Sequence, residues 1–131
     1  MNYTRALKTA VSIWVMGVVL FVVAAMLPLS DNPELQANIT LALAFIPLGW
    51  YGAKYYYKKD STTPGYQLAF VLVFMAAFLD ALITVPVFFF PMGVDHQTFF
   101  GAIEFWLLIA EYAGIVILYD YLRRKKELRT A

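Results

Sequence analysis

Four apolar stretches separated by short polar breaks divide the chain, at about residues 9–29, 39–57, 66–90 and 98–122. Each is close to or above the roughly 20 residues that an α-helix needs to cross a ~30 Å hydrocarbon layer. None shows the period-two alternation of a half-buried strand. The pattern predicts an all-α protein, a four-helix transmembrane bundle forming a single domain over residues 1–131.

The punctuation supports those limits. Arg5 and Lys8 precede the first run. Ala24-Ala25-Met26 would be a poor cleavage site, and the run is long for the apolar core of a signal peptide, so it is read as a retained span. Ser30 to Asn38 is polar and reads as a loop. Pro47 and Gly49 predict a kink in the second span. Tyr55, Tyr56 and Tyr57 at its end, with Lys54, Lys58 and Lys59, suit a membrane interface. Thr63-Pro64-Gly65 marks a turn. Pro86 interrupts the third span and removes the amide that would bond the Leu82 carbonyl, which Thr84 or water could then serve. Residues 91–97 form a second polar loop, where His96 reads as solvated. Thr98 is placed to cap the fourth span, and Gly101 and Gly114 on that span are candidates for close helix approach.

Charge then fixes an orientation. The ten Lys and Arg residues all lie before span one, from the last turn of span two to the start of span three, or after span four. None lies in the other two loops. The positive-inside rule puts both termini in the cytoplasm, and a bacterial inner membrane is the expected location. Composition agrees, at 62% hydrophobic and 15% charged residues. The absence of cysteine excludes disulfides and thiolate metal sites, and a single histidine excludes a multi-histidine site within one chain. No cofactor and no metal site is expected. The partners expected are the lipid bilayer, anionic headgroups along the basic edge, and a second copy or a larger membrane protein. Nucleic acid is not expected.

The candidate chemistry is three carboxylates inside the spans: Asp80 on the third, Glu104 and Glu111 on the fourth. An Asp at a helix centre costs roughly 2.5–3.5 kcal/mol on insertion scales, and no Lys or Arg lies within the spans to pair with it, Lys54 at the end of the second apart. Counting from the outer ends puts Glu104 ~9 Å deep, Asp80 ~15 Å and Glu111 ~20 Å. If their faces converge, the acids form a ladder, with Thr84 and Tyr112 as polar neighbours. Like charges close together cannot both ionise cheaply, so such a pair suits one shared proton or one hard cation. The bland alternative is interhelical glue. Asp120, beside Arg123 and Arg124, reads as an ordinary surface pairing.

Phe78-Leu79-Asp80-Ala81-Leu82-Ile83-Thr84-Val85-Pro86 and Phe105-Trp106-Leu107-Leu108-Ile109-Ala110-Glu111-Tyr112 resemble segments of small bacterial four-helix membrane proteins of unknown function. The resemblance covers the second half and implies no activity. The chain is also similar in size to small multidrug-resistance transporters, which carry their membrane glutamate on the first helix. Span one here has no acid, so none of their residues is carried over. The expected function is a small proton- or cation-coupled carrier or carrier subunit, with Asp80 and Glu111 as the exchange site and Glu104 as its outer approach. A noncatalytic helper or structural subunit is the alternative. An intramembrane lipid-modifying enzyme using Asp80 and Glu111 is third. No phosphate loop, serine–base pair or HExxH motif is present, so no catalytic residue is assigned.

Overall fold

The computed structural model describes residues 2–27, 31–60 and 62–130. The expected end of span one at Leu29 and the first loop residue, Ser30, lie outside the described residues. Helix α1 spans Tyr3–Met26 and α2 Pro33–Tyr57. Helix α3 spans Gly65–Leu79 and continues as a π-helix over Asp80–Phe89 and a 3₁₀ turn over Phe90–Met92. A short α4, His96–Gly101, precedes the long α5, Ile103–Thr130. The described residues contain no strand.

Three helix starts differ from the sequence reading, each for a capping reason. Asn2 accepts the Arg5 amide, so α1 begins six residues ahead of Thr9. Asn32 accepts the Leu35 amide, with Pro33 in the first turn. Most of the expected polar loop is therefore the start of α2. Asp95, not Thr98, caps α4 by accepting the Thr98 amide, and that bond holds the Asp95 carboxyl below its ordinary range. The helix then breaks at Ala102, which is extended. Fourth-span geometry starts at Ile103.

Among the described residues, three helical stretches are long and apolar enough to cross a membrane: Tyr3–Met26, Gly65–Phe89 and Ile103–Lys126. The second expected span falls below that apolarity, because its last turns hold Tyr51, Lys54, Tyr55, Tyr56 and Tyr57. The inner face of α1 is built mainly of small residues. On α1 the buried positions are Ala6, Thr9, Ala10, Ile13, Gly17 and Ala24, at helical spacing. Large apolar side chains such as Val19, Phe70, Phe74, Trp106 and Leu107 face outward. That much exposed apolar surface is foreign to a water-soluble monomer and consistent with a membrane protein.

Packing is extensive between α1 and α2, α2 and α5, α5 and α3, and α3 and α1. The helices therefore follow one another round a ring in the order α1, α2, α5, α3. Glycines set two of these contacts. A Cβ on Gly52 would overlap Ile13 of α1, and one on Gly49 would come within 2.9 Å of Ile115 of α5. Gly101 and Gly114, expected to do this, face open space. The close approaches were placed on the wrong helix because spacing alone does not show which face meets a neighbour. Helix α2 continues through Pro47.

Since α2 and α3 stand across the ring, their connection, residues 58–64, must run over its basic end. A clasp of polar contacts holds it there. Asp60 Oδ2 accepts from the Tyr56 hydroxyl at 2.6 Å, the Thr63 hydroxyl at 2.6 Å and the Asn2 amide at 3.1 Å. Asp60 Oδ1 accepts from the Thr62 amide and hydroxyl. Asp120 is buried, accepts the Gly65 amide at 2.8 Å and pairs with Arg123 and Arg124. A Cβ on Gly65 would lie 2.7 Å from the Asp120 Cβ. The expected Arg pairing of Asp120 is present, but its site is interior and ties α5 to α3.

The hydroxyls of Thr63 and Tyr56 hold the Asp60 carboxyl well below the usual carboxylate range. A depressed folded-state pKa adds stability above the unfolded value of about 3.9, and that contribution is lost as pH falls below it. Asp60→Asn should lower stability at pH 7 by about 1–2 kcal/mol. Thermal melts of parent and variant should converge as pH falls below about 4.

Candidate functional site

The acid that the fold engages is Asp80, at the join between α3 and the π-helix. Its Oδ1 accepts two hydrogen bonds, from the Trp14 indole N–H at 2.9 Å and the Thr84 hydroxyl at 2.8 Å. No hydrogen bond reaches Oδ2 among the described residues. Trp14 belongs to α1, so Asp80 faces the α1–α3 contact. Sequence reasoning put Thr84 beside Asp80 and missed Trp14. A signal existed: an indole N–H in an apolar span needs an acceptor, and Asp80 is an acidic group at matching depth.

Glu111 is half-buried on α5, and its Oε1 is enclosed without a hydrogen-bond partner among the described residues. Tyr112 is fully buried; its ring stacks on Phe45 at 5.0 Å and its hydroxyl has no partner among the described residues. Glu104 is exposed in the first turn of α5, where an acid complements the helix dipole. Trp106 donates to the Phe100 carbonyl at 2.7 Å, across the Ala102 break.

The structure does not join Asp80 and Glu111 into a ladder. The Gly65–Asp120 hydrogen bond puts those two residues at one level. Asp80 is then ~22 Å from that level along α3 and Glu111 ~13 Å along α5, a difference in depth of ~9 Å. The sequence count had put them ~5 Å apart, in the same order. Among the described residues, no three His, Asp or Glu side chains converge as they would on a metal ion.

Next to Asp80 lies the backbone feature that shapes this region. In a π-helix the amide of residue i+5 bonds the carbonyl of residue i, as the Phe90 amide does to the Val85 carbonyl. In that register Pro86, which has no N–H, faces the carbonyl of Ala81 rather than that of Leu82. His96 serves the orphan: its Nε2 lies 2.7 Å from the Ala81 oxygen. A carbonyl can only accept, so Nε2 carries the proton. The ring is held edge-on to Phe90 and parallel to Phe100. His96 is therefore a fixed helix-break partner and not the freely solvated loop residue expected. Thr84, expected to serve the freed carbonyl, bonds Asp80 instead.

Residues 29–124 match the model of DUF5367, described as a family of unknown function. The match starts ahead of α2 and takes in Asp80, Pro86, His96 and Glu111, a wider stretch than the resemblance seen in the second half. No curated protein and no solved structure matches the chain.

If the His96 bond replaces the amide that Pro86 lacks, the two residues must be energetically coupled. His96→Ala should destabilise the parent by about 1–3 kcal/mol, the cost of leaving the Ala81 carbonyl without a donor. In a Pro86→Ala background, where an amide can bond the helix carbonyl, the same change should cost much less. A double-mutant cycle by chemical denaturation in detergent measures the coupling, and additive costs would contradict this account of the break.

Proposed function

The chain belongs to the DUF5367 family, whose function is unknown, and from that premise we propose a small integral membrane protein that binds and releases a proton at Asp80, as a proton-coupled carrier or the proton-binding subunit of one. The observation that carries this is the asymmetry of the Asp80 carboxyl. Oδ1 is fixed by Trp14 and Thr84, while Oδ2 has no partner among the described residues and no cation beside it. A carboxyl in that setting is stabilised most simply by a proton on Oδ2. Its place at the start of a π-helix supports the reading further, since π segments mark functional joins in helices. The proposed site is Asp80 with Thr84 and Trp14. Glu111, Glu104 and Tyr112 make no hydrogen bond to it among the described residues, so the proposal rests on Asp80 and not on a two-acid exchange site.

The proposed architecture is four membrane-crossing helices with both termini in the cytoplasm of a bacterial inner membrane. Helix α2 is included because it runs antiparallel along α1 for its whole length. Arg5 Nε bonds the Tyr55 carbonyl at one end and Gln36 Nε2 the Leu27 carbonyl at the other. The basic clasp then lies in the cytoplasm.

A second reading has its own observation. Both bonds to Oδ1 tie α1 to α3 or close a turn of α3, which is what interhelical glue in a helper subunit would do.

Two measurements test these readings. Cysteines introduced at Asn32 and Gln97 should react with an impermeant thiol reagent outside intact cells, and one at Thr62 should not; labelling at Thr62 alone would reverse the orientation. Asp80→Asn keeps an oxygen for Trp14 and Thr84 and removes the titratable group. It should change stability by less than about 1 kcal/mol and eliminate a pH-dependent carboxyl band in infrared difference spectra. If the parent shows no such band assignable to Asp80, the proton site is wrong and the glue reading stands.

A further inference from the structure

A groove of about 530 Å³ runs between α1 and α2 on the outer surface of the ring. Ser12, Ile13 and Met16 line one wall and Leu48, Tyr51 and Tyr55 the other. It lies in the basic-end half, from Thr9 to Met16 along α1, a run of ~10 Å. Its inner wall is closed by the Gly52–Ile13 contact.

At the basic end the groove meets an oriented cation. The Arg5 guanidinium lies 3.7 Å over the Tyr55 ring, and its Nε donates to the Tyr55 carbonyl at 2.7 Å. That fixes the plane of the group and leaves both terminal nitrogens without partners among the described residues. Lys8, Lys54 and Lys58 are exposed around the same end. They follow the groove's own helical stripes, Lys8 four before Ser12, Lys54 three after Tyr51 and Lys58 three after Tyr55. None of the four cations has an ion pair among the described residues. The nearest acid of the clasp, Asp60, already receives five hydrogen bonds.

We propose that this groove holds one anionic glycerophospholipid, with its phosphodiester on the Arg5 terminal nitrogens and an acyl chain between α1 and α2. The occupant follows from the two ends together. An apolar trough opening into the bilayer takes a hydrocarbon chain, and a planar, preoriented guanidinium matches a phosphate in bidentate geometry. The surrounding lysines add charge that favours an anionic over a zwitterionic headgroup. This inference rests on the membrane reading above and adds a particular lipid site to it.

The full-length protein in nanodiscs of equal phosphatidylglycerol and phosphatidylcholine, released into native mass spectrometry, tests the site. The expected result is one retained phosphatidylglycerol per chain, undisturbed by millimolar inorganic phosphate. Arg5→Gln should lower that retention at least tenfold. Ser12→Phe, which fills the trough without altering charge at an exposed position, should lower it as well. Lys125→Gln, on the far basic segment, should not. Equal retention of both lipids, no loss in Arg5→Gln and Ser12→Phe, or an equal loss in Lys125→Gln would each overturn the site, the last by showing diffuse attraction to the basic surface. Failure of the protein to enter nanodiscs at all would overturn the membrane reading itself.

Discussion

In hydrocarbon, a carbonyl without a donor has no water to fall back on, and each such group costs several kcal/mol. The end of this protein opposite the Asp60–Asp120 clasp is arranged around a carbonyl of this kind, that of Ala81. Pro86 cannot supply an amide, and the π register assigns the deficit to Ala81. His96 reaches back from the start of α4 to meet it. That bond requires the chain after Phe90 to turn inward, which the left-handed Gly93 permits at φ 82°. It also requires α4 to stop early, since a helix continuous from His96 could not both fold over the π segment and descend along α3. The break at Ala102, with Trp106 donating to the Phe100 carbonyl, is the consequence.

The opposite end meets a different demand. The ring order α1, α2, α5, α3 leaves the second and third helices opposite each other, so their loop crosses the end of the protein. A crossing loop exposes backbone and needs fixed partners. Asp60 collects donors from α1, α2 and the loop itself, while Asp120 collects one from α3 and pairs with the arginines of its own helix. The Arg123 guanidinium also lies over the Tyr57 ring, and the Arg124 Nη2 reaches the Thr63 carbonyl. Two carboxylates thus organise the basic end. The many cations there are partly structural, and four others, Arg5 with Lys8, Lys54 and Lys58, border the α1–α2 groove.

Between these ends, Asp80 joins the two themes. Its Thr84 bond lies within the π segment, and its Trp14 bond is a polar link between α1 and α3. A shift in the π segment would move the carboxyl relative to Trp14, and a proton on Asp80 would weaken what Oδ1 can accept. Proton occupancy and helix geometry are therefore coupled at this residue under the proposed function. Glu111 sits ~9 Å away in depth, on a helix the Asp80 bonds do not touch, and has no share in that coupling.

The sequence determined the helical class, the number of long helices, the approximate turns and the grouping of every cation at one end. Those features follow from the period and length of apolar runs, which are local properties. It also put Thr84 beside Asp80 and the arginines beside Asp120, because neighbours one turn apart meet in almost any helix. The tertiary structure alone decided which faces meet. The close-approach glycines are Gly49, Gly52 and Gly65 rather than Gly101 and Gly114, and Asp80 turns to Trp14 rather than to Glu111. It also decided where the proline deficit falls. An α register strands Leu82 and a π register strands Ala81, and a sequence with proline at 86 permits both. Only the packing of α4, which brings His96 to one of those two carbonyls, selects between them.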